Sequence, residues 1–184
     1  MSLSQPQGFL TLPKNGNGRG VLVLHAWWGL NDTIKAFCTH LAESGFIAFA
    51  PDLYHGRLAT TIAEAEALGS ALDANFQQAK AEIAWATHFL AEKTSIESTH
   101  LAVVGFSLGA YYALDLSNAD PAHIRSVVVF YGSGAEEFSN AKADYLGHFA
   151  ENDPYEPSEN VDFLEEVLKL NFMPRSVTLI TKST

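Results

Sequence analysis

The sequence predicts an α/β fold, in which a doubly wound and mostly parallel sheet carries helices on both faces. Two observations support this prediction. The chain contains short apolar runs rich in β-branched residues, which are typical of buried strands. These runs alternate with longer segments whose apolar residues recur every three or four positions, as in helices. Strands that alternate with helices pair in parallel through right-handed crossovers. The 184 residues suffice for one such domain, and we expect it to span 1–184.

The predicted strands are of two kinds. Continuous apolar runs are typical of strands covered on both faces, and five such runs are expected side by side at 21–24, 46–50, 101–105, 126–131 and 145–150. Weaker runs predict edge strands at 8–12 and 177–181. Helices are predicted after a cap at Asn31 or Asp32, at 60–72, 74–93 and 108–117, and after a cap at Ser158.

Composition narrows the class of protein. Eleven basic residues against 21 acidic ones give a formal net charge of −10, which disfavours nucleic acid and anionic membranes as partners. No apolar run approaches the roughly 20 residues of a membrane span, and the first residues lack the blocks of a signal peptide. The one cysteine, Cys38, cannot form an internal disulfide, which suits a reducing compartment. We therefore expect a cytoplasmic protein, most simply an enzyme.

The most informative stretch is Gly105-x-Ser107-x-Gly109, between a predicted strand and a predicted helix. A chain that turns from strand to helix in three residues must fold tightly, and glycine on both sides removes Cβ atoms that would clash. Ser107 is then held in a strained conformation above the sheet edge, as in the nucleophile elbow of α/β-hydrolases. The helix N-terminus beside it favours developing negative charge. The alternative is a tight turn with an ordinary serine.

Four stretches, in order, resemble the dienelactone hydrolase family: VLVLHAWWGLN from residue 21, GFIAFAPDLYHG from 45, LAVVGFSLGA from 101 and LGHFAENDPYEP from 146. The resemblance runs from about Gly20 onwards. It implies an α/β-hydrolase fold and hydrolysis of an ester, lactone or similar acyl bond, with no metal and no organic cofactor. By position it makes Ser107 the nucleophile and Asp153 the triad acid, and it assigns the oxyanion hole to the backbone N–H groups of Leu108 and Trp27. Asp153 could instead merely start a turn.

The sequence departs from dienelactone hydrolase itself at several positions. That enzyme has cysteine in place of Ser107, glutamate in place of Ala26, and arginines for a substrate carboxylate that have no counterpart here. Dienelactone is therefore not the expected substrate. Trp28 and Tyr54, with His25 nearby, are expected to line a more apolar pocket, although the tryptophans could simply be packing residues.

The largest departure concerns the catalytic base. The family's histidine follows the strand predicted at 177–181 and precedes a final helix, whereas no histidine follows Asp153 in these 184 residues. We therefore expect a C-terminally shortened fold with near-background esterase activity. His25 either shapes the oxyanion loop or substitutes as base. We also expect apolar side chains to be exposed on a sheet flank near Val177, Leu179 and Ile180, so that the chain is either marginally stable or a homodimer through that flank.

The sequence leaves two functions open. The first is a serine hydrolase acting on a small-molecule ester or lactone. The second is a non-catalytic protein that keeps the fold for binding or interaction.

Overall fold

The structure of the protein is a computed structural model that describes residues 4–94, 100–135, 137–170 and 176–182. Within these residues seven strands form one sheet in the order β1-β3-β2-β4-β5-β6-β7. Neighbouring strands are parallel, except that β1 runs antiparallel to β3 at the edge. The strands are β1 (Gly8–Thr11), β2 (Gly20–Leu24), β3 (Ile47–Pro51), β4 (Leu101–Phe106), β5 (Ile124–Phe130), β6 (Asp144–Ala150) and β7 (Val177–Lys182).

The observed sheet confirms the predicted fold class. The five strands expected to be adjacent and parallel are so, with β4 in the middle and β7 at the far edge. Five helices connect them in the described residues: α1 (Asp32–Glu43), α2 (Ile62–Ala74), α3 (Phe76–Lys93), α4 (Leu108–Ala119) and α5 (Ser158–Leu170). None of the described helices is long and apolar enough to cross a membrane.

Side-chain caps decide where two of these helices begin. The Asn31 side chain accepts a hydrogen bond from the Ile34 N–H at 3.1 Å, so Asn31 caps α1. Thr61 and Glu64 form a reciprocal capping box, and α2 therefore begins at Ile62, two residues later than the prediction. Ser158, the predicted cap of the last helix, is instead the first residue inside α5. Such shifts by one residue lie within the fraying of a helix end.

Apolar residues form one cluster on each face of the sheet. On one face, α3, α4 and α5 pack over the strands around buried side chains such as Leu22, Val103, Val127 and Leu164. On the other face, α1 packs over β1, β2 and β3 around Val23 and neighbouring residues. Packed side chains therefore cover both faces of the central strands.

The second face is less well covered beyond β4. Val128, Phe130, Leu146, His148 and Ile180 are all half-buried there, and α1 is the one described helix on that face. Phe130 stacks on Phe106 at 5.0 Å between ring centroids and on His148 at 4.9 Å. On the opposite face of β7, Val177 and Leu179 pack against the cluster under α5. Association through this flank stays a prediction.

Candidate active site

Ser107 occupies a strained turn between β4 and α4. Its backbone angles are φ 51° and ψ −116°, a conformation that residues other than glycine rarely adopt. A Cβ on Gly105 would overlap the carbonyl oxygen of Gly109. A Cβ on Gly109 would overlap the carbonyl oxygen of Leu24 and lie 2.7 Å from that of His25. Both glycines are thus required by close backbone contacts, and together they force the serine to the apex of the turn.

A cavity of about 540 Å³ opens beside Ser107 at the carboxyl ends of the strands. Its walls come from the loops after β2, β5 and β6, from α2, and from the start of α4. Ser107 and Asp153 both line it, as do Leu108, Trp27 and Trp28. The structure therefore brings five of the sequence-predicted site residues to one cavity.

Asp153 lies half-buried in the loop after β6. Its Oδ1 accepts hydrogen bonds from the N–H groups of Tyr155 at 2.8 Å and Glu156 at 3.3 Å. The aspartate thus starts a turn and faces the cavity at once, so the two interpretations of this residue do not exclude each other. The turn fixes the direction in which its carboxylate points.

The two predicted oxyanion donors belong to different elements beside Ser107. Leu108 is the first residue of α4, where a backbone N–H has no acceptor within the helix. Trp27 belongs to the loop after β2, which the hydrogen bond from the Gly29 N–H to the Ala26 oxygen closes at 3.0 Å. Both residues line the cavity. Both predicted donors therefore belong to residues of the cavity that Ser107 also lines.

His25 and Tyr54 do not line this cavity, which corrects their expected place in the substrate pocket. His25 is 0% exposed and Tyr54 1% exposed, and their rings meet edge-on at 4.9 Å. The Leu53 N–H donates to His25 Nε2 at 3.3 Å, and His25 Nδ1 lies 2.8 Å from the Ala26 oxygen. The ring is therefore neutral with its proton on Nδ1, and burial lowers its pKa. Its role is to hold the loop after β2.

None of the seven histidines, all of which are described, lines the cavity. His25 is buried, His148 stacks on Phe130, and His100 lies at the opposite end of β4. The other four lie in or beside α1, β3, α3 and β5: His40, His55, His88 and His123. Between Ser107 and Asp153, the described residues supply no imidazole.

Sequence patterns did not identify every residue of the cavity. Glu156 is only 9% exposed, and its Oε1 accepts a hydrogen bond from the Ser133 hydroxyl at 2.8 Å. Asp73, on α2, also reaches the lining. Glu156 stands in the same motif as Asp153, a signal that could have identified it. No local pattern marks Asp73, because its place depends on the path of α2 over the sheet.

Parallel strands, crossover helices and a positive-φ serine at a strand-to-helix turn define an α/β-hydrolase fold. A profile of the dienelactone hydrolase family matches residues 7–179, and the chain belongs to this family. It is 34% identical to the protein usf of Aquifex pyrophilus over 130 residues, which are 68% of this chain and 56% of the relative. It is 31% identical over 133 residues to a protein of Aquifex aeolicus provisionally named carboxymethylenebutenolidase, and the match again covers 68% of this chain and 56% of the relative. The chain thus spans little more than half the length of these curated relatives.

The solved structures support the same fold. A dienelactone hydrolase-like promiscuous phosphotriesterase from metagenomic libraries superposes with a TM-score of 0.82 at 19% identity, over 95% of this chain and 74% of that one. At such identity the likeness concerns the fold alone.

Proposed function

We propose that the protein is a serine hydrolase that cleaves an ester or lactone through an acyl-enzyme on Ser107. The observation that carries the proposal is the geometry of Ser107, a non-glycine residue at positive φ at the start of α4, open to a cavity of about 540 Å³. Cavities of roughly 300–1,000 Å³ are typical of small-molecule sites. The name of one similar protein, provisionally called a carboxymethylenebutenolidase, is that of a hydrolase and lends support.

In this mechanism the Ser107 Oγ attacks the carbonyl carbon of the substrate and loses its proton to a base. The carbonyl oxygen becomes an oxyanion, which the N–H groups of Leu108 and Trp27 would stabilise. The alcohol then leaves with a proton, and water releases the acid from Ser107 in a second, similar step. Asp153 would orient the base and balance its charge. The chemistry requires neither metal nor organic cofactor.

The described site offers no imidazole as that base, so we propose that these 184 residues turn esters over slowly. In a serine protease, loss of the triad costs on the order of 10⁶ in kcat and leaves about 10³–10⁴ over water from the oxyanion hole and binding. The same observation favours a second candidate function, a binding protein that uses the cavity without chemistry.

Labelling with a fluorophosphonate probe, mapped by mass spectrometry, tests the proposal together with p-nitrophenyl acetate hydrolysis. We expect label on Ser107, and we expect Ser107→Ala to abolish both label and hydrolysis. Ser70→Ala is the matched control, because Ser70 is exposed on α2 and outside the cavity lining. Hydrolysis that survives Ser107→Ala would contradict the proposal. Saturable ligand binding without any label on Ser107 would favour the binding protein.

A further inference from the structure

The charged side chains that line the cavity beside Ser107 are all acidic. Three acidic residues line it, Asp73 from α2 and Asp153 and Glu156 from the loop after β6, and its described lining includes no lysine and no arginine. The whole chain has a formal net charge of −10, so the surrounding field has the same sign. An anionic substrate would meet repulsion in this cavity, whereas a cationic one would be attracted.

Glu156 is the most informative of the three acids. It is about nine-tenths buried, and burying a carboxylate is costly unless partners compensate it. The Ser133 hydroxyl donates to Oε1 at 2.8 Å. A carboxylate offers about four lone-pair sites, so one neutral donor leaves much of its acceptor capacity for a ligand. A positive charge in the cavity would therefore find a carboxylate with acceptor sites to spare.

Aromatic rings form much of the remaining wall. Trp27 lies between α2 and the loop after β6. A Cβ added to Gly69 of α2 would lie 3.1 Å from the Trp27 Nε1. On the other side, the Trp27 and Tyr155 rings have centroids 6.4 Å apart and planes inclined at 72°. Trp28 lines the same cavity and is 41% exposed. The faces of such rings attract cations, and quaternary ammonium groups are recognised by rings of this kind.

We propose that this site takes an ester or lactone that carries an ammonium group, quaternary or protonated, in place of a carboxylate. The ester part of this inference rests on the function proposed above, and the ammonium part rests on the three acids and the tryptophans. A metal ion is a poorer fit, because no three His, Cys, Asp or Glu side chains in the described residues are grouped to hold one.

Three probes of nearly equal shape isolate the charge: choline, 3,3-dimethylbutan-1-ol and 3,3-dimethylbutanoate. Each is titrated into the unsubstituted chain and into Ser107→Ala, at constant ionic strength, and binding is followed by calorimetry. We expect choline to bind at least about tenfold more tightly than the neutral alcohol, and the carboxylate to bind most weakly.

Two variants assign the preference to the acids. Glu156→Gln keeps an acceptor for Ser133 and removes the charge. Asp73→Asn removes the negative charge that α2 contributes to the lining. Each is expected to weaken choline binding by about fivefold and to leave the alcohol unaffected. Glu66→Gln is the matched control, because Glu66 is exposed on α2 and outside the lining. Equal binding of the three probes, absence of saturable choline binding, or a preference that survives both variants would each overturn the inference.

Hydrolysis separates this inference from the proposed function. Acetylcholine and 3,3-dimethylbutyl acetate have the same scissile ester bond, and only the first carries a positive charge. Equal Ser107-dependent hydrolysis of both would overturn the ammonium inference and leave the hydrolase standing. Choline binding that depends on Glu156 and Asp73, without hydrolysis of either ester and without fluorophosphonate label on Ser107, would uphold the ammonium site and contradict the hydrolase.

Discussion

The two halves of the sheet differ in what covers them. Strands β2 and β3 are packed on both faces, by α1 on one side and by α3 on the other. Strand β4 carries α4 on one face, and on the other face its Val104 belongs to the cluster under α1. From β5 to β7 the described helices pack on one face, and the other face carries half-buried side chains. Val23 and Val128 illustrate this difference, because they belong to the same face and the first is fully buried while the second is not.

The site lies across the boundary between these halves. Ser107 follows β4, so its turn is fixed by backbone contacts with β2 and α4. Asp153 follows β6, in a loop that is stabilised mainly by its own turn and by Glu156. Ser107 therefore belongs to the more fully covered half of the sheet, and Asp153 belongs to the more lightly covered one.

The largest expected effect comes from Gly109→Ala. The added Cβ would collide with the carbonyl oxygens of Leu24 and His25, which belong to a buried strand and its exit and cannot move away. We expect a loss of about 3 kcal/mol or more in the free energy of unfolding, measured by urea denaturation. Gly16→Ala is the control, because no described atom lies within 4 Å of its Cβ position, and its φ of 72° alone costs about 1 kcal/mol. Similar losses for both would show that the elbow is not tightly packed.

Truncation of the matched valines tests the comparison between the halves directly. Val23→Ala removes fully buried methyl groups and should cost roughly 2 kcal/mol. Val128→Ala acts on the same face in β5, where the side chain is half-buried, and should cost less than about 1 kcal/mol. Chemical denaturation of both variants gives the two values. Equal costs would mean that the second half is covered as well as the first.

A smaller effect follows from the buried His25. Burial lowers its pKa below the ordinary 6.5, so in acid the unfolded chain binds a proton that the folded chain refuses. Stability should therefore fall as the pH drops below about 6.5, by up to about 1.4 kcal/mol per pH unit. His25→Asn keeps a donor for the Ala26 oxygen and removes the titration. Its unfolding free energy should vary less between pH 7 and pH 5.5 than that of the unsubstituted chain; identical slopes would contradict the neutral, buried imidazole.

The features that the sequence predicted are those that depend on neighbouring residues. The elbow depends in part on the contact between Gly105 and Gly109, which are four residues apart. The parallel pairing of the five central strands follows from the alternation of buried strands and helices. Asp153 could be placed at the right edge because it follows a strand of known direction. His25 could not be placed in the same way, because the residue that donates to its ring, Leu53, is 28 positions away. Asp73 was missed for the same reason, since only the path of α2 brings it to the cavity.

The most direct test is the rate at which a fluorophosphonate labels Ser107, with and without free imidazole. The elbow presents Ser107 to the cavity, and the described site lacks an imidazole between this serine and Asp153. We therefore expect slow labelling confined to Ser107, accelerated saturably by imidazole in the unsubstituted chain and much less in Asp153→Asn. Fast labelling that imidazole does not change, or label on another serine, would contradict this description of the site.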